Sequence, residues 1–488
     1  MLPFRHIFLL VGLFAVTLAI RWPNLGRPMS KHHEFCTATA LRVLTVWHQE
    51  GIASKGYNPA TNFAGAANKY INNHASGSGQ MVDAKGNYYY VSHPPLAYYL
   101  PYAVFSALQI EPDVLPLQYF NLFINLFCGL GIYLLARKLL PESNWVGLLA
   151  ATIYWFTPAV LWFQSNVYMS DMMAQPFYIA ALLLALCVLD KPKAITAIGL
   201  AIVCFLGTYT TWFGMLAAGS LGLYFTFRAF SRPKYFWVVG LLVLSQVAAL
   251  GLMTWQYSQI AGWDAYLAEL GHRFGVRGLN MHQGIFSYAL PIALNYLANY
   301  GFLLLLAFLL LCSWQRIIKV NTLRLANIAL LPIILLHLLL PEYSGHDFTV
   351  LYLAVPLSLW VPMQLVSIGS KWLWLIGWFA IVSCPVLFVV VNPYGDHSYN
   401  NDLYSAELDD AQMFINEPDD AVLFMIGGIP SPQTLWYAKR NVKRVLNEAE
   451  AIGFLRSRAI NSGVLFEWPA RCDEFQKTKT IYLQPNEP

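Results

Sequence analysis

Charge is scarce in this chain of 488 residues: Asp, Glu, Lys and Arg make up only 11% of it, against about 25% in ordinary soluble domains. Together with 57% hydrophobic residues and a mean hydropathy of +0.48, that shortage excludes a water-soluble globular protein and leaves a polytopic membrane protein. In such a protein the formal net charge of +4 is a topology signal and not a nucleic-acid signal, so no nucleic acid is expected as a partner. No Gly-x-Gly-x-x-Gly or Walker-type loop occurs, so the usual cradles for a nucleotide are missing. No Asn-x-Ser/Thr sequon occurs either, which favours a bacterial membrane over a eukaryotic secretory one. There is no inverted repeat of the kind that builds many transporters. Cysteine is sparse: Cys128, Cys187, Cys204, Cys312 and Cys384 sit in apolar segments and read as small buried hydrophobes. Cys36 and Cys472 remain as a candidate outer pair, which sequence leaves open. No small-x-small cleavage site follows the apolar run Ile7 to Ile20, so the first segment reads as a retained anchor ending at Arg21-Trp22-Pro23.

What the chain does have is long apolar runs. Crossing about 30 Å of hydrocarbon takes roughly 20 apolar residues. Eleven spans are predicted: 4–20, 117–136, 146–163, 172–189, 194–211, 213–227, 235–253, 298–314, 324–340, 348–366 and 371–391. The apolar stretch from Ala194 to Phe227 is too long for one crossing, and Thr210-Thr211-Trp212 splits it into a hairpin. Residues 96–110 are shorter, reaching only about 22 Å as a helix, and Pro101 interrupts them.

The few cations sort with this map. Arg137, Lys138, Lys191, Lys193, Arg228, Arg232, Lys234, Arg316, Lys319, Arg324 and Lys371 occupy alternate short links. The other short links, at 164–171, near 212 and at 341–347, have no Lys or Arg and carry Asp171, Glu342, His346 and Asp347. Cationic short loops stay cytoplasmic, so the acidic, His-bearing links face outward. Counting 96–110 as a span would reverse every later link, so it is assigned to the interface. The fold class expected is an all-α polytopic membrane domain over 1–391, with an outer loop at 21–116 bearing interfacial helices. A small α/β domain over 392–488 follows, outside the membrane. In it, Ala421 to Ile426 reads as a buried strand and Gln433 to Arg440 as a helix start.

Chemistry-bearing residues gather on the outer side. Lys31-His32-His33-Glu34 opens a predicted surface helix from Glu34 to Glu50, in which Cys36, Ala40, Val43, Leu44 and Trp47 share one face and Arg42, Thr45 and Gln49 another. Glu34 suits a general base; His32, His33 and Glu34 together suit a divalent cation; and a carboxylate here also simply favours the helix dipole. Ser92-His93-Pro94-Pro95-Leu96 fixes His93 in an extended approach to the interface, where it binds a lipid phosphate or only anchors. Asp171, at the mouth of a span, is a functional candidate or a helix N-cap with Ser170. His346-Asp347 raises the same choice. The long outer segment 254–297 carries His272, Arg273, Arg277 and His282. Arg273 and Arg277 lie four apart, so on a helix they share a face that holds a phosphate or is merely solvated.

This order of features over residues 1–391 resembles the GT-C membrane glycosyltransferases, within them the protein O-mannosyltransferase and aminoarabinose lipid A transferase group. A first span is followed by an outer acidic motif starting a surface helix, then by His93-Pro94-Pro95-Leu96, then by Asp171 after a later link. In that family an Asp-Glu pair opens the surface helix and its first acid acts as the base. Here His33-Glu34 stands in that place, so the resemblance implies Glu34 as base, with His33 beside it and Asp171 as the second outer acid. It further implies that His93, Arg273, Arg277 and His346 handle the donor phosphate. The implied activity is inverting transfer of a sugar from a polyprenyl-phosphate donor to a glycan, lipid or protein acceptor at the outer face of the bacterial cytoplasmic membrane. The implied branch needs no metal, although His32, His33 and Glu34 keep a divalent ion conceivable. A transporter or lipid flippase of envelope glycan assembly is the alternative, and a non-catalytic assembly scaffold a third.

Overall fold

The computed structural model describes residues 4–29, 32–72, 79–278, 285–312, 320–369, 371–390, 401–467 and 476–482. Three helices come first: α1 (Phe4–Arg21), α2 (Glu34–Glu50) and α3 (Leu96–Leu108), with the short antiparallel strands β1 (Gln80–Val82) and β2 (Tyr88–Tyr90) ahead of α3. A helical run follows: α4 (Val114–Leu139), α5 (Val146–Phe156), α6 (Pro158–Phe163), α7 (Ser170–Asp190), α8 (Ala194–Thr208), α9 (Trp212–Ser231) and α10 (Phe236–Ala261). It continues with α11 (Trp263–Arg277), α12 (Ile285–Cys312), α13 (Val320–Leu339), α14 (Pro341–Ser344), α15 (Ala354–Ile368) and α16 (Lys371–Val390). The tail holds α17 (Asn401–Ile415), β3 (Val422–Ile426), α18 (Pro432–Ala438), β4 (Val442–Val445), α19 (Glu448–Arg458), β5 (Ser462–Glu467) and β6 (Gln476–Tyr482).

Among the described residues, seven helical segments are long and apolar enough to cross a membrane, and several shorter apolar helices accompany them. Every one of the eleven predicted spans coincides with a helix or a pair of helices. The protein is an integral membrane protein with a helical membrane domain and a small α/β domain. Its apolar helices carry exposed large side chains, as on α1 (Phe4, Phe8, Val11, Val16) and α16 (Trp372, Leu375, Trp378, Phe379, Val382). Lipid-facing positions look like this, because hydrocarbon, unlike water, accepts them without cost.

Three helix boundaries depart from the sequence pattern. The span at 146–163 is two helices, because Thr157 before Pro158 is extended (ψ 139°) and Pro158 starts α6; proline lacks the N–H a continuous helix would need and pushes its predecessor out of the α region. Helix α10 continues to Ala261, ending at Gly262 with φ +93°. Helix α12 begins at Ile285, well before 298, and keeps Pro291 inside it. The hairpin expected at 210–212 is present: α8 ends at Thr208 and α9 starts at Trp212. Gly214 makes that turn possible, since a Cβ there would lie 2.0 Å from the Gly207 carbonyl oxygen.

By packing the chain forms two units. The first comprises 1–25, 118–253 and 274–394; the second comprises 26–117, 254–273 and 395–488. The boundary drawn from sequence at 391/392 falls in 391–400, outside the described residues.

The second unit is organised on a four-stranded sheet of order β4-β3-β5-β6, with β3 parallel to β4 and β5, and β6 antiparallel to β5. Alternation along β3 sends Leu423 and Met425 to one face and Val422 and Phe424 to the other. Both faces are covered, so the strand reads as one apolar run. Leu423 and Met425 pack with Phe414 of α17, Leu435 of α18 and Phe466. Val422 and Phe424 pack with Leu455 of α19, Ile481, and Ala67 and Ile71 from the first outer segment. Helix α2 has the predicted bounds, but of its polar face only Gln49 is exposed, while Arg42 and Thr45 are buried. Arg42 is 2% exposed and Thr45 6% exposed. The Arg42 guanidinium donates to Thr61 O at 2.8 Å, and the Trp436 indole N–H of α18 reaches Thr45 Oγ1 at 3.4 Å.

Candidate active site

In the second unit the sequence motif at 32–34 forms a sharply defined helix start. His33 takes left-handed backbone angles (φ 56°, ψ 0°), so α2 begins at Glu34. For a residue with a Cβ that conformation costs about 1–2 kcal/mol, and strain of this kind tends to persist where the surroundings fix it. The Glu34 carboxylate is fully buried. Arg27 grips it: Nη1 donates to Glu34 Oε2 at 3.0 Å and to Pro28 O at 2.7 Å. Breaking a buried pair by removing one partner costs about 3–5 kcal/mol, so the carboxylate has one orientation. The His33 ring stands edge-on to His32, with centroids 4.9 Å apart. The Met29 N–H donates to the Tyr437 hydroxyl at 2.8 Å.

His93 and Arg273 meet in a second cluster of the same unit. Arg273 Nε donates to Ser92 Oγ at 2.7 Å, and the Tyr257 hydroxyl donates to the His93 carbonyl at 2.5 Å. The Gly79 N–H donates to Glu269 of α11. Gly79 has φ +77°, and a Cβ there would approach Ser92 Cβ to 3.0 Å and Arg273 Nε to 3.3 Å. Both the backbone angle and the space therefore require glycine. The two prolines then launch α3 immediately after His93. His93 is 5% and Arg273 8% exposed, so neither is a solvated surface group.

The first unit holds Asp171, Arg277 and His346. Asp171 lies in the first turn of α7, whose N-cap residue is Met169, so the N-cap alternative for Asp171 does not hold. Its carboxylate is fully buried and accepts from Tyr343 Oη at 2.7 Å to both oxygens and from Tyr352 Oη at 2.5 Å. Ser170 Oγ donates to it at 3.3 Å. Arg277 ends α11, pairs with Glu342 at 2.6 Å and lies 5.8 Å from the Tyr343 ring centroid. Arg277 Nη1 is 3.1 Å from His346 Nε2. A guanidinium has no acceptor, so in this contact His346 Nε2 is the acceptor. The His346 ring stacks on Phe348 at 5.2 Å.

Within the units, then, His33 and Glu34 share a turn, His93 and Arg273 meet through Ser92, and Arg277 and His346 bond directly. Asp171 and Arg277 share Tyr343 as a neighbour. Arg273 and Arg277 are adjacent turns of one helix but have different partners. His282 and Cys472 lie outside the described residues. Arg27, Tyr257, Tyr343, Tyr352 and Tyr437 are partners that escaped the sequence reading. Arg27 left a weak signal, as a cation a few residues ahead of the 32–34 motif.

No protein-family model and no curated protein matches the chain. Solved structures do. The archaeal oligosaccharyltransferase AglB from Archaeoglobus fulgidus, in complex with an inhibitory peptide and a dolichol-phosphate, is similar with TM-score 0.60 at 13% identity, over 95% of this chain and 69% of that one. ArnT from Cupriavidus metallidurans bound to undecaprenyl phosphate is similar with TM-score 0.56 at 12% identity, over 94% of this chain and 93% of that one. The fold is that of the GT-C glycosyltransferases, as the resemblance in sequence implied.

Proposed function

We propose that the protein is an inverting membrane glycosyltransferase that moves a sugar from a polyprenyl-phosphate donor to an acceptor hydroxyl at the outer face of a bacterial cytoplasmic membrane, with its C-terminal segment extracytoplasmic. The observation that carries this is a fully buried carboxylate, Glu34, oriented by Arg27 at the strained start of a helix in a chain of GT-C fold. The acceptor oxygen attacks the anomeric carbon, the bond from that carbon to the phosphate oxygen breaks, and the lipid phosphate leaves with the electron pair. Arg27 orients the Glu34 carboxylate through Oε2, and Glu34 takes the acceptor proton. His33 shapes the turn. His93 and Arg273 stabilise the departing phosphate electrostatically, and Arg277 and His346 are assigned the same role. Asp171 is assigned to hold Tyr343 under Arg277. The glycosyltransferase fold favours this chemistry over a transporter or flippase, and the sugar and the glycan, lipid or protein acceptor are for the assay to identify.

The test is transfer of radiolabelled sugar from polyprenyl phosphate in membranes containing the protein, with vesicle assays for donor crossing. Label crossing the bilayer without transfer would point to a flippase, and neither event to a scaffold. In that assay His93→Ala is expected to raise the donor KM about tenfold while the acceptor KM moves less than twofold, as losing one charge-assisted contact implies. An unchanged donor KM returns His93 to anchoring.

No metal is proposed. His32 and His33 offer imidazoles, but the third ligand conceived from sequence, Glu34, already has a guanidinium 3.0 Å from Oε2, and a fixed positive charge there opposes a cation. Transfer is expected to survive exhaustive EDTA treatment unchanged. Loss of turnover restored by a divalent ion would overturn this.

A further inference from the structure

The C-terminal segment reaches the motif that carries Glu34. Within the second unit, α18 packs along α2, and its Tyr437 hydroxyl receives the Met29 N–H at 2.8 Å. Met29 belongs to the short connecting stretch 26–29 that carries Arg27. That connection is held from its own side by Arg27, which ties Pro28 O to Glu34 Oε2. Tyr437 holds it from the tail.

Helix α18 is well placed to act as a fixed post. Ser431 caps it, accepting from Thr434 N at 3.1 Å, and the Thr434 hydroxyl donates to the buried Glu407 of α17 at 2.5 Å. At its other end, Asn441 is locked to Asn68, its N–H donating to Asn68 Oδ1 at 2.7 Å and its amide to Asn68 O at 2.8 Å. Burial pushes the Tyr437 phenol up to about 12, and the Glu34 carboxylate pushes it the same way. The hydroxyl therefore stays protonated throughout the working range.

We propose that Tyr437 is a positioning residue for Glu34: by accepting the Met29 N–H it fixes the stretch whose Arg27 orients the Glu34 carboxylate. This rests on Glu34 being the base. A carboxylate displaced by a fraction of an ångström from its proton loses rate while substrates still bind, so the effect belongs in kcat. The tail thereby has a part in the reaction without touching substrate.

Two measurements test it on the full-length protein in detergent or nanodiscs. Hydrogen exchange resolved to single residues is expected to show the Met29 amide of the wild type protected like the amides of α2; exchange at the free-peptide rate overturns the proposal without any variant. Tyr437→Phe keeps the ring and removes only the oxygen. It is expected to lower kcat about tenfold, leave both KM values within twofold and release Met29 to fast exchange. Trp436→Phe, which removes a different bond from the same helix, is expected to leave kcat within twofold. If Tyr437→Phe turns over like the wild type while Glu34→Gln is inactive, the positioning role falls and the base assignment stands. If Glu34→Gln is active, the base assignment falls, and Met29 exchange alone judges the clamp. Should Tyr437→Phe fail to accumulate, the wild-type exchange still decides.

Discussion

Glu34→Gln is expected to reduce sugar transfer by about 10³-fold, with expression and membrane insertion close to wild type. Glutamine keeps the volume and the hydrogen-bond geometry toward Arg27, because its carbonyl oxygen can accept from the same Nη1 that lies 3.0 Å from Oε2. It removes the basic lone pair. Proton transfer by a positioned base contributes about 10²–10⁴ to the rate, which sets the size of the loss. Both KM values are expected to stay within a few-fold, since the base acts on the transition state more than on bound substrate. A variant that turns over at the wild-type rate in the radiolabel assay would remove Glu34 from the chemistry.

The second large effect falls on Asp171 and divides into a graded series. Asp171→Leu leaves the hydroxyls of Tyr343 and Tyr352 without their acceptor, and both tyrosines are buried. Each orphaned hydroxyl costs about 1–3 kcal/mol, offset in part because no carboxylate is buried any longer. Asp171→Asn keeps one carbonyl oxygen for the two phenols and is expected to lose less. Thermal unfolding midpoints should therefore fall in the order wild type, Asn, Leu, by several degrees at the end of the series. Activity should fall in the same order, because Tyr343 carries Arg277 on its ring face. Equal midpoints across the series would mean that the phenols find other acceptors.

The contrast between these two acids shows which features the sequence makes legible. Membrane helices are readable because burial in hydrocarbon demands continuous apolar runs, and α2 is readable because its apolar positions recur at helical spacing. The split at Pro158 was a local signal that an otherwise apolar run concealed. The early start of α12 was concealed the opposite way: Ser287, Pro291 and Asn295 give the segment the look of an outer loop. Glu34 and Asp171 stood out as acids among apolar residues. Their partners did not, because no periodicity links position 171 with 343 and 352, or position 29 with 437. Arg42 misled for a related reason. A cation on a helix is read as solvent-facing, yet here the Thr61 carbonyl and the Phe63 ring supply what water would.

The shared core beneath the four-stranded sheet has a bearing on how the molecule comes into being. Ala67 and Ile71 emerge during synthesis well before Val422, Phe424, Leu455 and Ile481, which cover them. Contacts this distant along the chain form slowly, and the earlier apolar side chains stay uncovered until those later residues have been made. Nascent chains stalled before the tail are thus the ones most exposed to proteases and in most need of a chaperone.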